Sequence, residues 1–216
     1  TYQEIENYNN MTSLSTEEIK LITDMANIAL SNSAKAFSTF INQPVYISAT
    51  EVPFDNKGDD KTGTRAVNIL LSEIMGDFKG KCYLNFNEKE AQKLFECALP
   101  PEYQKEEEMC NAILMELDNI LTAAVVTMFS NILKVNIYAY VPNLFKITYK
   151  QFDAMLEEDA KKSYFGIRFK TSFEIHGLDL FPEFIWLLEP QVLTALMERT
   201  KEGSLNLNEH LEKLKS

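Results

Sequence analysis

Two polar side chains stand one turn apart in an otherwise apolar stretch, Glu116 and Asn119 in "MELDNILTAAVVTMFSNIL", residues 115–133. Residues three apart on an α-helix share a face, so a carboxylate and a neutral amide lie side by side. Asparagine is mildly unfavourable in a helix interior, so helix propensity does not account for its place. On a helical wheel, Ile113, Leu117, Ile120, Leu121, Ala124, Val125, Met128 and Ile132 fill a broad apolar arc. Glu116 and Asn119 fall on the narrow remaining face, beside Ala112, Ala123 and Thr127. Two polar groups among small neighbours let a partner's backbone come close, where a protruding Lys or Leu would hold it away. The plain alternative is a solvated polar stripe on an amphipathic helix.

Other chemistry finds little support. Cys82, Cys97 and Cys110 form an odd set without C-x-x-C spacing, which fits reduced thiols of a cytoplasmic protein better than a disulfide framework or a zinc site. The two histidines are far apart: His176 in "EIHGLD" reads as a turn residue after a strand, and His210 sits in a polar tail. A histidine-based triad or a metal site is therefore not expected. The loop "DNKGDDKTGT", residues 55–64, faintly resembles a calcium loop. An EF-hand starting at Asp55 requires Glu at its twelfth position, where Ala66 stands. No glycine-rich phosphate loop or nucleophile elbow is found.

A net charge of −11 argues against a nucleic-acid or anionic-membrane surface, both of which need clustered Lys and Arg. No uninterrupted apolar run reaches the ~20 residues that cross a bilayer, and "TYQEIENYNN" has neither the basic region nor the apolar core of a secretion signal. The 216 residues suit a single domain with a sizeable core.

The elements that must carry the pair repeat along the chain. Ser15 followed by Glu18 forms a capping pattern that opens a helix running to about Asn42. Strands "QPVYISATEVPF", "RAVNILLSEIM" and "KCYLNFN" follow, then the short helix "EKEAQKLFECAL". After Pro100 and Pro101 the series restarts: a long helix over roughly 102–134, strand "VNIYAYVP", helical "QFDAMLEEDA", strands "YFGIRFKTSFEI" and "EFIWLLE", and helix "PQVLTALMER". Helix, strand, strand, strand, helix thus occurs twice, in residues 13–99 and 100–202, with residues 203–216 as a C-terminal tail. Shifting the first half by 92 positions, the distance from 27 to 119, places Asn27 on Asn119, Ile28 on Ile120, Phe37 on Phe129, Ser38 on Ser130 and Tyr46 on Tyr138. Asp24 falls on Glu116. A duplication with an internal pseudo-twofold is the economical explanation. It predicts an α+β fold: a mainly antiparallel sheet with two long helices, which bear the Glu/Asp and Asn residues, and shorter helices packed on it.

With these residues in view, the chain resembles the CheC/CheX/FliY family of chemotaxis phosphatases, and CheC in particular, over about residues 13–202. The family motif carries Asp or Ser four residues before the Glu of E-x-x-N, and Pro twenty-three positions after the Asn. Here "ELDNILTAAVVTMFSNILKVNIYAYVP" supplies Glu116, Asn119 and Pro142 at that spacing, while Ala112 departs from the first position. The resemblance implies one CheC-like domain over residues 1–216 that dephosphorylates a phospho-aspartyl response regulator such as CheY. The Asn would enter the regulator's active site and orient the attacking water, and the Glu would pair with the regulator's Lys. Acyl phosphates are reactive, so positioning water in line can supply much of the acceleration; a neutral amide can donate and accept without repelling the phosphoryl group. No cofactor of its own is implied, since the regulator brings Mg²⁺. In the first half Asp24 and Asn27 imply a second, weaker site: Asp is a methylene shorter than Glu, Thr50 occupies the Pro position, and Lys20 stands one turn before Asp24, where it can pair with it. The alternative is a weakly active or inactive binding module that docks a response regulator or a CheD-like deamidase. A FliY-like role in the flagellar switch is less expected, because those proteins add a C-terminal domain.

Overall fold

The computed structural model describes residues 15–53, 63–161 and 165–201. In chain order the elements are α1 (Thr16–Ile41), β1 (Val45–Val52), β2 (Ala66–Gly76), β3 (Gly80–Asn87), α2 (Glu88–Ala98), α3 (Glu107–Leu133), β4 (Ile137–Ala139), β5 (Asn143–Thr148), α4 (Tyr149–Ala160), β6 (Phe165–Ile175), β7 (Leu178–Leu180), β8 (Glu183–Leu188) and α5 (Pro190–Lys201). The Ser15–Glu18 capping box is formed: the Glu18 N–H donates to Ser15 Oγ at 3.2 Å and the Ser15 N–H to Glu18 Oε2 at 2.7 Å. Two otherwise unpartnered N–H groups at the helix start are thereby satisfied. At the other end Asn42 takes the left-handed conformation (φ 55°), as does Lys134 at the end of α3 (φ 58°), each stopping its helix where the chain must turn into a strand.

All strand pairings are antiparallel, in the order β1-β6-β8-β3-β2-β4, with β5 also on β2 and β7 on β6. The order is palindromic: β1, β6 and β8 of one side answer to β4 and β5, β2, and β3 of the other. α1 lies along β1, α3 over β2 and β4, and the two long helices pack against each other. Beneath them Phe129 of α3 meets Trp186 edge-on at 5.6 Å, and Trp186 meets Phe169 at 4.9 Å. On the opposite face α4 buries Tyr149, Phe152 and Leu156 against Val67, Ile69, Leu71, Tyr83, Ile185 and Leu187. Each such side chain contributes about 1.5–3 kcal/mol by leaving water. Coverage on both faces explains why β8, "EFIWLL", is a continuous apolar run rather than an alternating one.

Several elements differ from the sequence reading. α3 begins at Glu107, after a turn over residues 101–105, rather than near 102. "VNIYAYVP" is not one strand: β4 stops at Ala139 and pairing resumes at Asn143 as β5, a strand not anticipated. β7 was not anticipated either; it folds back on β6 through His176 and Gly177, both at positive φ (51° and 78°), so His176 is the turn residue its context suggested. Gly76 closes β2 at φ 123°, where a Cβ would lie 2.2 Å from the Asn136 carbonyl oxygen. Most of the 55–64 loop, His210 and the tail lie outside the described residues.

Candidate functional site

α3 is held by its apolar side: Ile113, Leu117, Leu121, Val125, Met128 and Phe129 are buried. This fixes which side chains can face outward. Ala112, Asn119, Ala123 and Thr127 are exposed and Glu116 is half-buried. Among the described residues neither Glu116 nor Asn119 has a hydrogen-bond or ion-pair partner. The pair therefore presents a carboxylate and both ends of an amide, one acceptor and one donor group, on a surface kept low by two alanines.

On α1, the counterpart residues are placed differently. Asp24 and Asn27 are both half-buried. Asn27 Nδ2 donates to the carbonyl oxygen of Ala49 at 3.0 Å, and the Ala49 N–H donates to Asn27 Oδ1 at 2.8 Å. Nδ2 also donates to the Thr23 carbonyl oxygen at 3.0 Å. The amide acts as a short substitute strand on the outer edge of β1, satisfying backbone groups that would otherwise face water or another chain. Lys20 is exposed and makes no ion pair with Asp24.

No protein-family model matches the sequence, and no curated protein does. Among solved structures, Thermotoga maritima FliY aligns with TM-score 0.63 at 16% identity, over 88% of this chain and 99% of that one. The fold is CheC/CheX/FliY-like. A chain of the H. pylori FliG–FliM complex aligns with TM-score 0.59 at 9% identity, over 84% of this chain and 100% of that one. A chain of the H. pylori FliM–SpeE complex gives 0.56 at 11%, over 87% and 98%.

Within this CheC-like fold the sequence reading missed Asp118, the residue between the exposed pair. Its carboxyl is fully buried and accepts from Ser72 Oγ of β2 at 2.6 Å. Burial pushes its pKa up to about 7, against the opposing effect of the Ser72 hydrogen bond. The signal was available on the wheel, where Asp118 falls inside the apolar arc, four residues after Leu114 and three before Leu121. Cys82 lies buried nearby; burial first, and then the Asp118 carboxyl, raise its thiol pKa well above the ordinary range, which makes it a poor nucleophile. All three cysteines are free thiols. Among the described residues no group of three or more His, Cys, Asp or Glu is placed to hold a metal. α3 is long and apolar enough to cross a bilayer, yet its apolar side is the core of the domain.

Proposed function

We propose that the protein is a phosphatase acting on a phospho-aspartyl response regulator of the CheY type. The observation that carries this reading is the unpartnered, exposed Asn119 amide beside Glu116 on a smooth helix face. The motif spacing to Pro142 and the CheC/CheX/FliY-like fold agree with it. On docking, Asn119 enters the regulator's site, its carbonyl oxygen accepting a hydrogen bond from water and its NH₂ steering toward the phosphoryl oxygens. Glu116 pairs with a Lys of the regulator and sets the approach. The regulator's own Mg²⁺ supplies charge neutralisation at the phosphoryl group. Water held in line spares most of the ordering cost of the attack, and loss of the orienting group costs on the order of a hundredfold in rate. The Asp24/Asn27 site is the weaker one on this reading, because its amide is already bonded to Ala49.

The test is the decay of a phosphorylated CheY-type regulator with wild-type, Asn119→Ala and Asn27→Ala proteins. Wild type and Asn27→Ala accelerate decay and Asn119→Ala does not; a wild-type protein without effect sinks the proposal. The second reading is a docking module without turnover, for a response regulator or a CheD-like deamidase. It is favoured by the two neighbours that are chains of protein complexes, FliG–FliM and FliM–SpeE. Regulator binding with an unchanged decay rate selects it.

A further inference from the structure

The two halves of the sheet treat their asparagines differently, and the strand registers say why. β1 pairs with β6 without interruption from Val45↔Ile175 to Val52↔Arg168. The outer strand at the other end of the sheet is interrupted. Ala139 pairs with Ile74, the Tyr140 N–H donates to the Glu73 carbonyl oxygen at 2.9 Å, and Asn143 pairs with Leu71. Two residues, Val141 and Pro142, therefore stand opposite one, Ser72. That is a β-bulge, which breaks the ladder locally and turns the bulged backbone away from its regular path. β4 and β5 are one outer strand divided by it.

Ala49, whose N–H and C=O hold Asn27, corresponds under the 92-residue shift to Val141, and Thr50 corresponds to Pro142. A regular strand at Val141 would offer Asn119 the same pair of backbone groups that engages Asn27. Instead Val141 is 72% exposed and Pro142 is buried without an N–H to give. α3 meanwhile is held over β2 by the bond from Ser72, the residue the bulge straddles, to Asp118. We propose that the Val141–Pro142 bulge is a positioning device: it removes the strand edge that would capture Asn119, and so keeps that amide free for a ligand. As a role in dephosphorylation this rests on the proposed function; as a statement about the amide it does not.

Side-chain amide hydrogen exchange in the full chain, read by NMR, tests it directly. In wild type the Asn27 amide exchanges on the order of tenfold more slowly than that of Asn119, as the bonds its NH₂ donates to the Ala49 and Thr23 carbonyl oxygens require; equal rates overturn the proposal. Deleting Pro142 restores an even register with the Val141 N–H and C=O on the strand edge and slows Asn119 to about the Asn27 rate, and a folded deletion variant with Asn119 still fast overturns it. Inserting one residue between Ala49 and Thr50 transfers the two-against-one step to β1, speeds Asn27 exchange several-fold and serves where the deletion does not fold; an unchanged rate again overturns it. Against a phosphorylated CheY-type regulator, the variant that slows exchange lowers kcat while regulator affinity holds. If exchange behaves as stated but wild type does not accelerate decay, the phosphatase reading fails and the bulge assignment stands.

Discussion

Asp118→Asn separates the titration of a buried carboxyl from its shape. The Asp118 side chain is completely shielded between α3 and β2, and its pKa rises from the ordinary 3.8 to about 7. Folding therefore favours the protonated form. Below about pH 4 the folded and unfolded chains both carry the proton, and this residue adds no pH dependence. Between about pH 4 and 7 the unfolded chain releases the proton while the folded chain keeps it, so stability falls as pH rises; above about 7 both are ionised and the loss is complete. The raised pKa corresponds to about 4 kcal/mol in all, of which about 2 kcal/mol is lost between pH 5 and 7 and about 3 kcal/mol by pH 8.5. Asn at this position keeps an acceptor for the Ser72 hydroxyl and cannot titrate. Urea unfolding of wild type and Asp118→Asn from pH 5 to 8.5 reads the difference, with wild type losing about 3 kcal/mol more than the variant over that range. Parallel stability curves would refute the reasoning, and with it the placement of a shielded carboxyl beneath the Glu116–Asn119 face.

Asn119→Ala abolishes the acceleration of regulator dephosphorylation, a loss on the order of a hundredfold, while shifting unfolding free energy by no more than about 0.5 kcal/mol, because the side chain is exposed and unpartnered. Asn27→Ala does the opposite: it leaves two edge groups of Ala49 unbonded and costs about 1–3 kcal/mol in urea unfolding, with dephosphorylation retained. Arg168→Met takes the cation from Glu183, whose Oε1 lies 3.1 Å from the Arg168 guanidinium, leaves that carboxylate only its bonds from Asn85 and Tyr149, and lowers stability by about 3 kcal/mol. Arg168→Met with Glu183→Leu recovers much of that loss; a double variant as unstable as the single one would contradict a partner-removal cost.

The N-terminal capping box, the apolar arc of α3, the outward face of Glu116 and Asn119 and the turn at His176 were legible because each depends on residues a few positions apart. Their physics is local: hydrogen bonds within one turn, a 100° step per residue, a backbone that must take positive φ. The repeated order of elements was legible for the same reason. β5 was not, since "NLFKIT" has little alternation of its own and is made a strand by pairing with β2, more than seventy residues earlier. Asp118 was half legible: the wheel places it in the apolar arc, and only the seating of α3 on Ser72 shows that it is received by hydroxyls, a thiol and apolar groups, with no cation among the described residues to hold its charge.

By itself the sequence determined that two asparagines occupy matched places on two long helices, each one turn after a carboxylate. It ranked the first site as the weaker from Asp24, Lys20 and Thr50, and did not determine that the Asn27 amide itself is engaged. Asn27 and Asn119 carry the same side chain at the same helical offset, and what separates them is whether an outer strand runs straight past them. That depends on the register of strands brought together from opposite ends of the chain, where one extra residue at Val141–Pro142 turns the backbone aside. Long-range hydrogen-bond register is a property of the assembled sheet, so only the tertiary structure could tell the engaged amide from the free one.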